Sequence, residues 1–276
     1  MAQITAADVS KLRHMTGAGM MDCKKALTES DGDFDKAIQI IRERGQSVAN
    51  KRSDREASEG VVLATTNSNN TTGYIIALKC ETDFVAKNEN FVKFAEKIAH
   101  IAIEKNPKSL DELKALNFEG ATLAEKIIEQ TGIIGEKIEI SDFEKIDAAH
   151  VSTYIHSDKK LATLVGFNKA GFNVQVGKDV AMQIAAMDPV AIDKDFVTQE
   201  VIEKELEIGR HQAIADGKSG DLVEKIAQGK LGKFYKDSTL LNQDFIKESK
   251  ISVKQYLQQA DKDLTVTAFK RCSIKQ

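Results

Sequence analysis

Two short runs carry side chains whose types and spacing could do work at a surface. The first is Cys80-Glu81-Thr82-Asp83-Phe84-Val85-Ala86-Lys87-Asn88, directly after an apolar run that reads as a strand. Thr82 can cap a short helix there, with Asp83 near that helix's positive end. Phe84 then falls at a strand-to-helix junction, where a side chain projects at a domain's edge. The competing reading puts it in the core, where most phenylalanines go. The second run extends from Leu12-Arg13-His14-Met15 through Thr16-Gly17-Ala18-Gly19 to Met20-Met21-Asp22-Cys23-Lys24-Lys25-Ala26-Leu27. It sets two methionines side by side at a helix start. Consecutive helical residues point ~100° apart. One methionine can therefore face the local core while the other turns outward, where a flexible thioether can grip a partner helix. In the alternative reading both fill the small core.

Other chemistry fails on context. Gly217-Lys218-Ser219 looks like the end of a phosphate-binding loop, but Gln212 stands where the leading glycine belongs and the run sits between two helices. Gly17-Ala18-Gly19 lacks the third glycine of a dinucleotide fingerprint and follows a helix. His150 and His156 share a strand face without a third ligand, so they read as sheet or surface histidines. No Gly-x-Ser-x-Gly elbow or His-Glu-x-x-His run occurs. Nothing here asks for an active site, a metal or a cofactor, and an enzyme stays open on these residues alone.

The elements that must position these runs follow from periodicity. Val9, Leu12 and Met15 recur at helical spacing, and two glycines then break the pattern. A second helix carries Met20, Cys23 and Leu27. A third opens at Asp33, continues through Phe34, Ala37, Ile38 and Ile41, and is expected to stop at Gly45. Residues 46–58 lose periodicity and read as a linker. Val61–Thr66 and Tyr74–Cys80 flank an Asn/Ser/Gly cluster, which predicts a hairpin. A helical stripe from Phe91 to Ala102 and a second helix near Leu123–Gln130 follow. A β-rich stretch over 134–168 and a helix over 176–186 repeat the hairpin-then-helix order. The expected class is α+β, with two similar halves whose antiparallel sheets are each covered by helices on one face. Val201, Leu206 and Ile208, opposite Leu222, Val223 and Ile226, predict an antiparallel helical hairpin. The run LTVTAFKRCSI reads as a strand returning to the second sheet.

Composition bounds the class. The chain has 276 residues, 39 Lys+Arg against 42 Asp+Glu, three cysteines and no tryptophan. A mean hydropathy of −0.31 with 42% apolar residues is that of a folded globular chain, not of a disordered one. A net charge of −3 gives no chain-wide basic field, which disfavours direct nucleic-acid binding through phosphates. Cys23, Cys80 and Cys272 are far apart with no CxxC, which fits a reducing compartment. The start MAQITAADVSKLRHM lacks the basic and apolar regions of a secretory signal, and no run approaches the ~20 apolar residues that span a bilayer. The expected location is the cytoplasm, with no membrane partner.

The two opening runs also carry a resemblance. Leu12-Arg13, Thr16 through Leu27, and Thr82-Asp83-Phe84-Val85-Ala86-Lys87-Asn88 resemble the bacterial elongation factor Ts family, as do Gly232-Lys233-Phe234-Tyr235 and Gln243-Asp244-Phe245-Ile246. The resemblance implies a ubiquitin-associated-like three-helix domain over 1–45, a linker over 46–58 and a core N-subdomain over 59–135. It further implies a core C-subdomain over 136–187 and 229–276, with an inserted antiparallel coiled-coil hairpin at 188–228. It implies guanine-nucleotide exchange on elongation factor Tu, bound with GDP or empty of nucleotide, during translation elongation. Thr82, Asp83, Phe84 and Val85 would dislodge the partner's Mg²⁺. Leu12, Met20, Met21, Lys24, His156, Phe245 and Ile246 would hold the partner. A non-catalytic holder of the same GTPase is the alternative, and self-association through the hairpin is left open. Some family members continue into a further helical module, whereas this sequence ends at Lys275-Gln276, so that module's contacts are expected to be missing.

Overall fold

Thr5 opens the first helix with a reciprocal cap. Its hydroxyl accepts the Asp8 N–H at 3.2 Å, and the Asp8 carboxylate accepts the Thr5 N–H at 3.0 Å. Helix α1 (Ala6–Thr16) ends at Gly17, whose φ of 71° is the left-handed conformation that glycine adopts without strain. Helix α2 (Met20–Glu29) follows, and Asp33 caps α3 (Phe34–Arg52) by accepting from Asp35 and Lys36 N–H. Val9, Leu12, Cys23, Ala26, Leu27, Ala37 and Ile41 form the small core of this trio. The computed structural model describes residues 4–274, so the chain ends considered above, the initial MAQ and Lys275-Gln276, lie outside the described residues.

Helix α3 does not stop at Gly45. It runs on to Arg52, and the segment expected to be a linker is helical for its first seven residues. The reason lies in α7, against which α3 packs. A Cβ on Gly132 would come within 2.4 Å of the Gly45 Cα. Gly45 is there for a close backbone crossing, and packing outweighs the ~1 kcal/mol that glycine costs a helix interior.

Next come β1 (Glu59–Thr66), β2 (Thr72–Cys80), the single turn α4 (Asp83–Ala86), α5 (Glu89–Lys105) and α6 (Leu110–Ala115). A minimal ladder of β3 (Asn117–Phe118) and β4 (Ala121–Thr122) leads into α7 (Leu123–Ile134). Helix α5 buries Phe91, Phe94, Ala95, Ile98, Ala99 and Ala102, the stripe that the sequence predicts. The next strand, β5 (Glu139–Asp147), joins the first sheet, whose order is β1-β2-β5. This corrects the reading that grouped it with the second β-rich stretch. Alternation shows that a segment is a strand but not which edge it joins, and a two-stranded hairpin alone is marginal.

The second sheet has the order β10-β7-β6 and is fully antiparallel, from β6 (His150–Ile155), β7 (Leu161–Phe167) and the returning β10 (Val266–Ser273). Helix α8 (Val174–Met187) packs on β6 and β7. After a 3₁₀ turn at Lys194–Phe196 come α9 (Gln199–Ala215) and α10 (Asp221–Ser238), packed on each other along their length. Helix α10 is continuous to Ser238, ten residues beyond the expected end of the hairpin at 228. Gly229 and Gly232 lie inside it, with open space where a Cβ would sit. The short β8 (Asp244–Phe245) and β9 (Glu248–Ser252) and helix α11 (Val253–Ala260) complete the set before β10.

The chain divides into two compact units, each mixing helix and sheet in an α+β arrangement. One contains the chain up to Leu63 with Ile76–Phe143 and Ile274, and the other contains Ala64–Ile75 with Glu144–Ser273. Two helical glycines should respond oppositely to alanine. Gly132→Ala forces the α3–α7 crossing apart and should destabilise by about 1–3 kcal/mol. Gly229→Ala meets open space and should stabilise by about 0.5–1 kcal/mol. Urea unfolding of both variants checks the pair, and equal signs would contradict the close-crossing explanation.

Candidate functional site

The Thr82 turn begins where β2 runs out of ladder partners. The Glu136 carboxylate, one residue beyond the Gly135 cap of α7, takes the freed amides. Its Oε2 accepts from Glu81 N at 3.1 Å and Thr82 N at 3.0 Å, and its Oε1 accepts the Thr82 hydroxyl at 2.6 Å. With its O–H donating to Glu136, the Thr82 Oγ1 accepts from Val85 N at 3.4 Å and caps α4. Asp83 stands in that first turn and pairs with Lys87 at 2.6 Å.

Glu81 returns the arrangement in the opposite direction. Its carboxylate accepts from Lys137 N at 2.7 Å, Arg52 Nη1 at 2.7 Å and Arg55 Nη1 at 3.2 Å. Burial opposes the charge on Glu81, but the Lys137 amide and the two guanidinium groups outweigh it and hold its pKa below the ordinary value. That stabilisation is present above the unfolded pKa of about 4.3 and is lost as pH falls through the lower folded value. The neighbouring Cys80 thiol is pushed up to about 12, first by burial and then by the Glu136 charge. It stays protonated, and its Sγ–H donates to the Thr82 carbonyl at 3.2 Å.

The turn so fixed carries Phe84 outward with 84% of its surface exposed. The core reading is thereby excluded. Beside it lies a surface groove of about 570 Å³ lined by Gly17, Phe84, Val85, Phe91, Ile133 and Ile134. The α1–α2 turn contributes Gly17, where a Cβ would meet the Ile133 Cδ1 at 3.4 Å.

Met20 and Met21 are 50% and 64% exposed, so neither fills the core. Cys23, Ala26 and Leu27 supply the inner side of α2 instead. Lys24 is exposed on the same helix. Met15, at the end of α1, is also exposed and was missed by the sequence reading, which placed it on the apolar repeat. The clue available was three methionines within seven positions. Leu12 is a correction: it has no exposed surface and packs inside the trio's core, so it supports the methionine face without forming it.

The remaining expected contacts lie in the second unit. His156 is exposed, with its Nδ1 3.0 Å from the Tyr154 hydroxyl. Phe245 is a further correction, because it is buried and stacked on Tyr256 at 4.0 Å between ring centroids. Its neighbour Ile246 is exposed, on a turn fixed by Gln183 and Asp179 of α8. Gln183 Oε1 accepts from Ile246 N at 2.9 Å, and Asp179 accepts from Lys247 Nζ at 2.7 Å.

No group of three or more His, Cys, Asp or Glu among the described residues is placed to hold a metal. No helix among them is long and apolar enough to cross a membrane.

The family model described as Elongation factor TS matches residues 81–276, beginning at the Glu81 of the turn. Proteins named Elongation factor Ts match nearly end to end. The one from Flavobacterium psychrophilum is 54% identical over 99% of this chain and 100% of its own length. Those from Amoebophilus asiaticus and Christiangramia forsetii are 51% and 49% identical, over 98% and 99% of this chain and 99% and 100% of their own lengths. The chain belongs to the elongation factor Ts family. It is a translation elongation factor, and the family's matched stretch contains both carboxylates that fix the turn.

Two truncations should separate surface from core. Leu12→Ala should cost about 2–5 kcal/mol in urea unfolding. Phe84→Ala should change stability by no more than about 0.5 kcal/mol. A large loss for Phe84→Ala would mean that the ring is packed rather than presented.

Proposed function

We propose that this chain is a guanine-nucleotide exchange factor for elongation factor Tu, acting in the cytoplasm during translation elongation with no active site of its own. The observation that carries the reading is Phe84, a large apolar ring held in water by a backbone anchored at Glu81 and Thr82. Leaving such a ring exposed forgoes about 1.5–3 kcal/mol of burial. Stability does not explain its place, and insertion into a partner does.

The mechanism follows from linkage. A GTPase holds GDP through backbone amides at the phosphates and a bridging Mg²⁺. A protein that binds the empty, Mg²⁺-free partner better than the GDP-bound one shifts the partner toward release, and needs no contact with nucleotide to do so. Every ~1.4 kcal/mol of destabilisation at that site can give up to tenfold faster release. Phe84, with Thr82, Asp83 and Val85, is the wedge that disturbs the Mg²⁺ shell. Helices α1–α3 supply the grip through Met20, Met21 and Lys24 of α2, with the exposed Met15 at the end of α1. His156 and Ile246 make further contacts from the core. The division into grip, core and inserted hairpin is part of the same proposal.

The test is release of fluorescent GDP from elongation factor Tu with catalytic amounts of this chain. Wild type should release many equivalents of GDP per molecule. Phe84→Ala should slow release tenfold or more with little change in melting temperature. Met21→Asp should weaken complex formation and partly recover at saturating protein, because the wedge is intact. Tight binding without accelerated release would favour a non-catalytic holder and overturn the proposal.

A further inference from the structure

We propose that Glu136 is a positioning residue for Phe84, and that with Glu81 it fixes the direction in which the ring leaves the surface. This rests on the exchange reading above. Phe84 is too exposed for packing to orient it, so its aim is set by the backbone that carries it. That backbone is held by reciprocal carboxylate bonds. Glu136 takes the amides of Glu81 and Thr82, while Glu81 takes the amide of Lys137. Two consecutive residues on each segment are thereby cross-linked.

Two further ties make the turn rigid in a specific direction. The Thr82 hydroxyl donates to Glu136, which leaves its oxygen lone pairs facing the Val85 amide, so the carboxylate also orients the cap of α4. Arg52, the last residue of α3, donates to Glu81 at 2.7 Å and joins the end of that long helix to the same piece. A wedge that is already ordered loses little conformational entropy on insertion, so its binding free energy goes into distorting the partner. Without Glu136, the Thr82 hydroxyl and two amides turn to water and the ring samples many directions. The grip surface on α1 and α2 makes none of these bonds. Loss of Glu136 therefore acts on the exchange step and leaves recognition of the partner unchanged.

The experiment is steady-state exchange against increasing concentrations of elongation factor Tu bound to GDP, with wild type, Glu136→Ala and Glu136→Gln. Glu136→Ala should lower kcat about tenfold while KM stays within about twofold. Glu136→Gln should restore most of kcat, because its carbonyl oxygen still accepts the two amides and melting checks that it stays folded. A second readout uses the absence of tryptophan from this sequence. Phe84→Trp places a single indole fluorophore at the wedge, and its anisotropy in the free protein should fall when Glu136→Ala is added. Unchanged kcat in Glu136→Ala, a loss confined to KM, or unchanged anisotropy of the indole would each overturn the inference. If wild type does not accelerate release, the exchange reading fails, while the anisotropy still decides whether Glu136 orders the wedge position.

Discussion

A strand that ends in a sharp turn leaves its last amides without ladder partners, and buried or half-buried amides must find acceptors. In this chain the acceptors are two carboxylates. Glu136 takes the amides of Glu81 and Thr82, and Glu81 takes the amide of Lys137 together with Arg52 and Arg55. Charge-assisted bonds of this kind are stronger than neutral ones. They let a single turn of helix, too short to be stable alone, hold a phenylalanine in water. The exposed ring and the capped α4 depend on that exchange of hydrogen bonds, and Arg52 ties the end of α3 to it.

A second constraint keeps the parts of the first unit close. Gly45 of α3 and Gly132 of α7 touch backbone to backbone, and Gly17 sits against Ile133 near the end of α7. Helix α7 therefore holds α3 at this crossing and approaches the turn between α1 and α2. One residue past its cap, it supplies Glu136. The methionine-bearing helices and the Phe84 turn thus stand on elements braced by the same helix, as the proposed division between holding a partner and straining it requires.

How much of this was legible in sequence depends on the range of the interaction. The caps at Asp33 and Thr82, the Phe91–Ala102 stripe and the returning strand Val266–Ser273 follow from local patterns that the structure bears out. The short turn around Thr82 was readable because Thr and Asp have local reasons to stand at a helix start. The roles of Gly45 and Glu136 were not readable, since each is decided by a residue more than fifty positions away. A glycine at a helix crossing looks like a stop signal until its partner is known. Leu12 and Phe245 read as surface from motif position, but their burial is set by the three-helix core and by Tyr256. The exposed methionines were half legible: adjacency required that one point outward, and only packing shows that both do.

The central claim is that the carboxylate pair acts through Phe84. A double-mutant cycle tests it most directly, with GDP release measured for wild type, Glu136→Ala, Phe84→Ala and the combined variant. The expected result is strong non-additivity: Glu136→Ala slows release in the wild-type background and has almost no further effect once Phe84 is alanine. Fully additive losses would contradict the claim, because they would mean that Glu136 contributes to exchange by a route that does not pass through the ring.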